Sequence, residues 1–168
     1  AVEPEQRGGR RVEVELDAEP AIVIGYHKPG SGHPDDDVFD VIDAVLSCNG
    51  AAWGDYDNDG RLDVFITRFF NQTNFLLKND SLDFTYISSG SIATDAGSSA
   101  GCAWGDYDKD GWLDLFVSHG QNQNNALYHN NGNGTFTKIL TGSIVNDGGE
   151  SRGCAWGDYD NDSWPDLF

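Results

Sequence analysis

Residues 51–63 have the sequence Ala-Ala-Trp-Gly-Asp-Tyr-Asp-Asn-Asp-Gly-Arg-Leu-Asp, and close copies of this stretch occur twice more in the chain. Residues 102–114 are Cys-Ala-Trp-Gly-Asp-Tyr-Asp-Lys-Asp-Gly-Trp-Leu-Asp, and residues 154–166 are Cys-Ala-Trp-Gly-Asp-Tyr-Asp-Asn-Asp-Ser-Trp-Pro-Asp. The first aspartates of the three copies are 51 and then 52 residues apart. A fixed period of this length indicates a tandem repeat in which each unit is one supersecondary structure.

The segments between the copies are also similar, and their apolar stretches are short. Residues 64–66, 75–77 and 84–87 are β-branched, aromatic or leucine-rich, and Asn, Gly and Ser clusters separate them. This pattern predicts strands joined by turns rather than helices. About four short strands in roughly 50 residues is the size of one propeller blade, so we predict a mainly β fold built as an incomplete β-propeller.

Each copy places aspartates at its loop positions 1, 3, 5 and 9, counted from the Asp that follows Trp-Gly. Alternating carboxylates on a tight turn face a common centre, and oxygen ligands without His or Cys suit calcium, which takes about 6–8 of them. Position 7 would add its backbone carbonyl. The predicted calcium ligands are Asp55, Asp57, Asp59, Arg61 and Asp63 in loop 1, Asp106, Asp108, Asp110, Trp112 and Asp114 in loop 2, and Asp158, Asp160, Asp162, Trp164 and Asp166 in loop 3.

The alternative for these loops is a solvated acidic turn without an ion, since Asp-Gly and Asn-Asp are common turn formers. Four aspartates within nine residues would repel one another without a cation, and the pattern occurs three times. In loop 3, Ser163 replaces the glycine of the other loops, and Pro165 follows it closely. An EF-hand is excluded, because position 12 is Ile66 or Val117 instead of Glu and the flanking segments are strand-like.

The composition limits the classes of partner. The chain has 168 residues, with 10 Lys and Arg against 28 Asp and Glu, and a formal net charge of −18. Twelve of those 28 acids lie in the three loops. This charge argues against nucleic acid and anionic membrane surfaces as partners. No apolar run approaches the roughly 18 residues of a membrane-spanning helix, so no membrane insertion is expected.

The repeats resemble the FG-GAP/VCBS family, whose calcium-binding blades also build the propeller of integrin α subunits. The family pattern, Trp-Gly-Asp followed by Asp-x-Asp-x-Asp-Gly-x-x-Asp and Phe-Val, is similar to residues 104–117, and the later Leu-Tyr, Asn-Gly-Asn-Gly and Thr-Phe elements match residues 127–136. The resemblance covers about residues 51–168. It implies a β-propeller with calcium in the loop between the first two strands of each blade.

The same resemblance implies a secreted, periplasmic or cell-surface protein that binds a protein or glycan ligand. It brings no catalytic set that maps onto this chain, so we expect a structural or adhesive module rather than an enzyme. Only two whole repeats and part of a third are present, and a propeller closes with about 4 to 8 blades. We therefore expect the remaining blades to come from a longer chain or from self-association. A glycan-binding propeller is an alternative function.

The first 48 residues differ from the repeats, which we assign to residues 49–168. Residues 11–16 alternate like a half-buried strand, residues 21–26 form an apolar run, and a helix is predicted after Pro34, so this segment is predicted to be ββα. Residues 7–47 resemble the non-catalytic half of insulinase-like (M16) zinc peptidases. That family's His-x-x-Glu-His motif is absent from the chain. A fragment of such a peptidase, without its zinc motif, is the second alternative function.

Two further residue types recur with the repeat. Trp53, Trp104 and Trp156 hold the same position in each copy, and we expect them to pack between blades. Trp112 and Trp164, inside the loops, are candidates for a contact surface. Cys102 and Cys154 are equivalent positions of adjacent repeats, which should lie farther apart than the roughly 7 Å Cα separation that a disulfide allows. We therefore expect buried free thiols.

Overall fold

The computed structural model describes residues 48–168, which form antiparallel β-sheets joined by short loops. The predicted ββα segment and the peptidase-like stretch lie outside the described residues. The strands and helices are β1 (Cys48–Gly54), β2 (Asp63–Arg68), β3 (Gln72–Thr73), β4 (Phe75–Asn79), β5 (Phe84–Ile87), α1 (Ser91–Thr94), β6 (Ala96–Gly97), β7 (Ser99–Gly105), β8 (Asp114–His119), β9 (Ala126–Asn130), β10 (Phe136–Ile139), a 3₁₀ turn (Ser143–Val145), β11 (Trp156–Gly157) and β12 (Asp166–Leu167).

Each complete repeat is one four-stranded antiparallel sheet. The first has the order β1-β2-β4-β5, and the second has the same order in β7-β8-β9-β10. The third copy contributes the two-stranded sheet β11-β12. These sheets confirm the predicted strands and the mainly β, propeller-like class, with one sheet per repeat. No helix within residues 48–168 is long and apolar enough to cross a membrane.

The second strand of each four-stranded sheet is buried on both faces, which explains why it lacks polar alternation. In β8, Leu115 and Val117 point into a core shared with the first sheet, where Phe65 and Tyr128 also lie. Phe116, between them in sequence, instead packs with residues near the third copy. Successive side chains of a strand point to opposite faces. One strand therefore contacts both of its neighbouring repeats.

The two Gly-Ser-Ile segments that precede the second and third copies form single helical turns, α1 and the 3₁₀ turn. In each, a glycine with positive φ stands just before the turn, at Gly90 and Gly142. Ile92 and Val145, within these turns, are buried. A single turn is too short to produce a 3.6-residue period, so the sequence pattern could not indicate it.

Adjacent repeats pack together where a tryptophan of one repeat lies against a glycine of the preceding repeat. The Trp104 indole donates a hydrogen bond from Nε1 to the Ala52 carbonyl oxygen (3.2 Å), and its ring lies so close to Gly54 that a Cβ there would be 2.8 Å from Cδ1. Trp156 repeats both contacts, with Ala103 (3.2 Å) and with Gly105 (2.6 Å). The predicted packing between repeats is thus confirmed for these two tryptophans.

The first tryptophan of the series, Trp53, differs from its counterparts. Its side chain is 50% exposed, and it contacts Phe84 of its own sheet edge-on, with ring centroids 6.3 Å apart. Trp104, in contrast, lies between the sheets and stacks on Tyr56 with centroids 6.0 Å apart. The expectation that all three pack between repeats is therefore only partly correct, because Trp53 has no equivalent Gly partner among the described residues.

All three cysteines fall within the described residues, and Cys102 and Cys154 are free thiols, as predicted, although they are less buried than expected. Cys48 is buried, whereas Cys102 and Cys154 are half-buried. Burial raises the pKa of the Cys102 thiol to about 12, and it also raises the pKa of the other two thiols.

This burial gives a testable expectation for thiol chemistry. Raising the pKa of Cys102 from 9.0 to about 12 lowers its thiolate fraction about a thousandfold in mildly alkaline buffer. We expect iodoacetamide to leave Cys102 unmodified in the native chain and to label it in guanidinium, as followed by peptide mass spectrometry. Native labelling at the rate of the unfolded control would contradict the buried position.

Candidate metal loops

Each acidic loop connects the first two strands of its sheet. Residues 55–62 join β1 to β2, residues 106–113 join β7 to β8, and residues 158–165 join β11 to β12. The strand pairs Gly54 with Asp63, Gly105 with Asp114, and Gly157 with Asp166. The antiparallel register therefore closes the three loops at equivalent residues, and strands rather than helices flank them.

The position 1 carboxylate stabilises the turn by accepting hydrogen bonds from backbone amides of its own loop. Asp55 accepts hydrogen bonds from the backbone amides of Asp59 (3.0 Å) and Gly60 (2.9 Å). Asp106 accepts the equivalent two bonds in loop 2, both at 3.0 Å, and in loop 3 Asp158 accepts one from Ser163 at 3.0 Å. The position 5 carboxylates accept from the position 7 amides, at Arg61 (2.9 Å), Trp112 (2.9 Å) and Trp164 (2.7 Å).

All three loops share two left-handed residues, at positions 4 and 6. Position 6 is Gly60 (φ 85°) or Gly111 (φ 90°), but in loop 3 it is Ser163, with φ 73°. A left-handed conformation costs a residue with a Cβ roughly 1–2 kcal/mol. Ser163 in place of glycine therefore does not change the shape of loop 3, but its left-handed conformation lowers the stability of the loop.

The position 9 carboxylates are the most buried members of the loops. Asp63 is fully buried and accepts from the backbone amides of Tyr56 (3.2 Å) and Asn79 (2.8 Å). Asp114 makes the same pair of bonds, with Tyr107 (3.1 Å) and Asn130 (2.8 Å). Burial raises the pKa of both carboxyl groups to about 6. Asp166 accepts from Tyr159 at 2.9 Å.

The position 9 aspartates thus fasten each complete loop to the third long strand of its sheet, a role that the spacing of the aspartates could not predict. In β4 and β9 the bonding partners are Asn79 and Asn130, equivalent residues of the repeat. Both repeats have asparagine at this position, and that recurrence is the feature of the sequence that could have indicated the contact.

The structure brings several of the predicted ligands together, each group with one ligand atom per residue within 4.8 Å of the others. In loops 1 and 3 these are positions 1, 3 and 9, namely Asp55, Asp57 and Asp63, and Asp158, Asp160 and Asp166. In loop 2, Asp106, Asp108 and Asp110 form one group, and Asp108, Asp114 and His129 form another. Asp59 and Asp162 belong to none of these groups.

Loop 1 contains an unsatisfied oxygen. Oδ1 of Asp57 is buried and has no hydrogen-bond partner. A buried polar atom without a partner is costly, so such an atom is normally satisfied by protein, water or an ion. The donor set around it consists of carboxylate oxygens, which are the ligands that a hard cation such as calcium prefers. The residues of loop 1 therefore fit a calcium ion.

A basic side chain on the third strand of each four-stranded sheet lies against the acidic loop, and the spacing of the aspartates predicts neither contact. Lys78, on β4, forms an ion pair with Asp57, and its Nζ lies 3.7 Å from Asp59 Oδ2. The hydrogen bond that Lys78 donates to Asp57 raises the pKa of Lys78. His129, the equivalent residue on β9, has Nδ1 at 3.3 Å from Asp108 Oδ2 and at 3.2 Å from Asp114 Oδ1. The Lys78 ammonium offsets part of the charge of loop 1.

Neighbouring loops touch each other through position 4. Asn58 donates from Nδ2 to the carbonyl oxygen of Gly111 in loop 2 (3.1 Å), and the Lys109 ammonium lies 4.1 Å from the ring centroid of Trp164 in loop 3. Trp164 is otherwise half exposed, whereas Trp112 packs its indole against Gly132. Of the two loop tryptophans, Trp164 keeps the larger surface for contacts.

Comparison with known families gives one assignment. The model of the FG-GAP-like repeat matches the chain twice, over residues 55–117 and 106–168. Each match begins at the first aspartate of one loop and ends two or three residues after the last aspartate of the next loop. A search of curated proteins found no match.

Proposed function

Because the chain belongs to the FG-GAP-like repeat family, we propose that it is a calcium-binding, β-propeller-like module with a structural or ligand-binding role. The three acidic loops would each hold one ion. The proposed ligands are the carboxylates at positions 1, 3, 5 and 9, together with the position 7 carbonyls of Arg61, Trp112 and Trp164.

The convergence of equivalent carboxylates supports this proposal most strongly. Positions 1, 3 and 9 gather within 4.8 Å in both loop 1 and loop 3, although the two loops differ at position 6. Like charges at this separation destabilise each other unless a cation lies between them. The buried, unpartnered oxygen of Asp57 adds an atom that lacks a partner in the chain itself.

Calcium suits these loops better than magnesium does. Magnesium demands a near-ideal octahedron and usually keeps several waters, whereas calcium accepts variable geometry and more protein oxygens. Each loop offers four carboxylates and a carbonyl. In Arg61 the side chain pairs with Asp59, so the carbonyl is the atom of this residue that would serve the ion.

A bound calcium would act on folding rather than on a reaction. An ion that binds only the native loop stabilises the folded state by mass action. It would also hold the first two strands of each sheet together, because the proposed ligands at positions 1 and 9 stand at the end of one strand and the start of the next. We infer from this that the module serves as a rigid scaffold outside the cell, where calcium is abundant enough to fill weak sites.

Calcium titration calorimetry tests the proposal directly. We expect the metal-stripped chain to bind up to three calcium ions, with much weaker heats for magnesium. Asp57→Asn should remove the loop 1 site, while Glu150→Gln, which removes one exposed charge outside the loops, should bind as the wild type does. Equal binding by Asp57→Asn and wild type would contradict loop 1 as a site.

The proposed ligand of the module is a protein or a glycan, and we propose a secreted, periplasmic or cell-surface location for it. The exposed indole of Trp164, beside Lys109, is a surface on which either class could stack. A glycan array probed in calcium and in chelator separates the two classes. Calcium-dependent glycan binding that Trp164→Ala abolishes would assign a glycan, and a blank array would favour a protein partner.

A further inference from the structure

We propose that loop 2, together with His129, binds a divalent transition metal of the zinc type through Asp108, Asp114 and the His129 imidazole. This inference rests on the proposed cation-binding role of the loops. It makes a zinc-type metal, rather than calcium, the preferred cation of loop 2, which calcium fills when no such metal is present. His129 is a residue of β9 and not of the loop.

The first support is the direction of the imidazole. Nδ1 of His129 is buried and makes no hydrogen bond. It lies 3.3 Å from Asp108 Oδ2 and 3.2 Å from Asp114 Oδ1, and one ligand atom from each of the three residues lies within 4.8 Å of the other two. A buried ring nitrogen thus faces two carboxylate oxygens, and the three atoms surround one point.

The second support is that loop 2 departs from the pattern of the other loops. In loops 1 and 3 the position 3 and 9 carboxylates converge with position 1, whereas in loop 2 Asp108 and Asp114 converge with His129. The position 1 carboxylate, Asp106, groups instead with Asp108 and Asp110. The three loops share their turn conformation, but in loop 2, where an imidazole is present, the carboxylates at positions 3 and 9 group with it instead of with position 1.

The donor set defines the class of metal. Imidazole nitrogen is a preferred ligand of zinc, copper, iron and nickel, whereas calcium and magnesium take oxygen ligands. Two carboxylates and one imidazole leave further positions for water or for the position 5 carboxylate. In loop 1 the equivalent residue is Lys78, whose protonated amine pairs with Asp57 and cannot ligate a metal. The two complete repeats thus differ at the one residue that decides the metal class.

The surroundings hold these ligands in place. Asp114 is fixed by the amides of Tyr107 and Asn130, one on each of its oxygens. The Tyr107 ring meets the His129 ring edge-on, with centroids 6.2 Å apart. Outer partners of this kind orient metal ligands, and each carboxylate oxygen of Asp114 retains a second lone pair for an ion.

Zinc titration calorimetry on the full chain without calcium, so that no loop is occupied beforehand, tests this inference. Three variants are compared with the wild type. His129→Gln removes the imidazole, His129→Lys introduces the residue that the first repeat has at this position, and Lys78→His introduces the histidine of the second repeat into the first. We expect the wild type to bind one more zinc ion than either His129 variant and Lys78→His to bind one more than the wild type. Zinc held by other histidines is common to all four chains and cancels.

His129→Lys separates a ligand from a counter-ion. It places an ammonium beside Asp108 and Asp114, as Lys78 does beside Asp57 in loop 1, so the chain should fold without zinc yet lose the zinc site. Equal zinc binding by the wild type and both His129 variants, or no zinc binding by the wild type, would overturn the inference. A calcium titration of the same samples is independent, since a failed calcium site with an intact His129-dependent zinc site refutes only the proposed calcium role.

Discussion

Removal of calcium should lower the melting temperature of this chain by about 10 °C or more for each loop that is filled to 100 times its dissociation constant. At that saturation one site contributes about 2.7 kcal/mol of stability. For a folded unit of this size, each kcal/mol shifts the midpoint by several degrees. Circular dichroism melts in millimolar calcium and in chelator would measure the shift.

The physical basis of this shift is the charge that folding concentrates in the loops. In loop 1 the Asp55, Asp57 and Asp63 ligand atoms come within 4.8 Å of one another, and Lys78 is the cation that pairs with Asp57. Unfolding separates these carboxylates and relieves their repulsion. Without calcium, the native state alone carries that cost, so the native state is the one that calcium stabilises.

Magnesium in place of calcium is the control for this melt, since it screens charge without matching the loops. We expect a shift with magnesium that is a small fraction of the calcium shift. A cooperative melt with the same midpoint in calcium and in chelator would refute the proposal that the loops are ion sites, because binding to the native state must raise its stability.

The second large effect is expected from Gly54→Ala, which should lower the free energy of unfolding by about 1–3 kcal/mol, the usual range for an overpacked core. The added Cβ would lie 2.8 Å from Trp104 Cδ1 and 3.0 Å from Leu113 Cδ1. Trp104 cannot easily withdraw, because its indole donates to the Ala52 carbonyl and stacks on Tyr56. Urea unfolding in calcium would measure the loss.

The chain offers a matched control at the equivalent glycine of the third copy. A Cβ on Gly157 would meet no atom within 4 Å, and Gly157, like Gly54, does not have a positive φ. Gly157→Ala should therefore leave stability unchanged or raise it by about 0.4–1 kcal/mol through the unfolded state. Equal losses in the two variants would mean that the tryptophan contact does not cause the Gly54 effect.

The repeat, its strands and its loops could be predicted from the sequence because each depends on local chemistry. Residues 64–66 and 75–77 are short, apolar and bounded by turn residues, and both lie in strands of the structure. The aspartate spacing likewise predicted which residues share a loop. Whether those residues bind calcium stays a prediction for the experiments above.

The features that the sequence did not predict depend on contacts between distant residues. The approach of Lys78 and His129 to the loops follows from the pairing of β4 with β2 and of β9 with β8, which sets their register. The exposure of Trp53 has a similar origin, because Trp104 and Trp156 each pack against a glycine of the preceding sheet, and Trp53 has no such contact within residues 48–168. Identical local sequences thus have different surroundings.

The tryptophan-on-glycine contact gives the array a direction. The surface that presents the indole of Trp104 or Trp156 differs from the surface that presents Gly54 or Gly105 to receive it. Such a contact is heterologous, so the same two surfaces cannot form a two-fold symmetric dimer. Repeats joined in this way add head to tail, and the rotation from one sheet to the next decides whether the series closes into a ring or winds into an open helix.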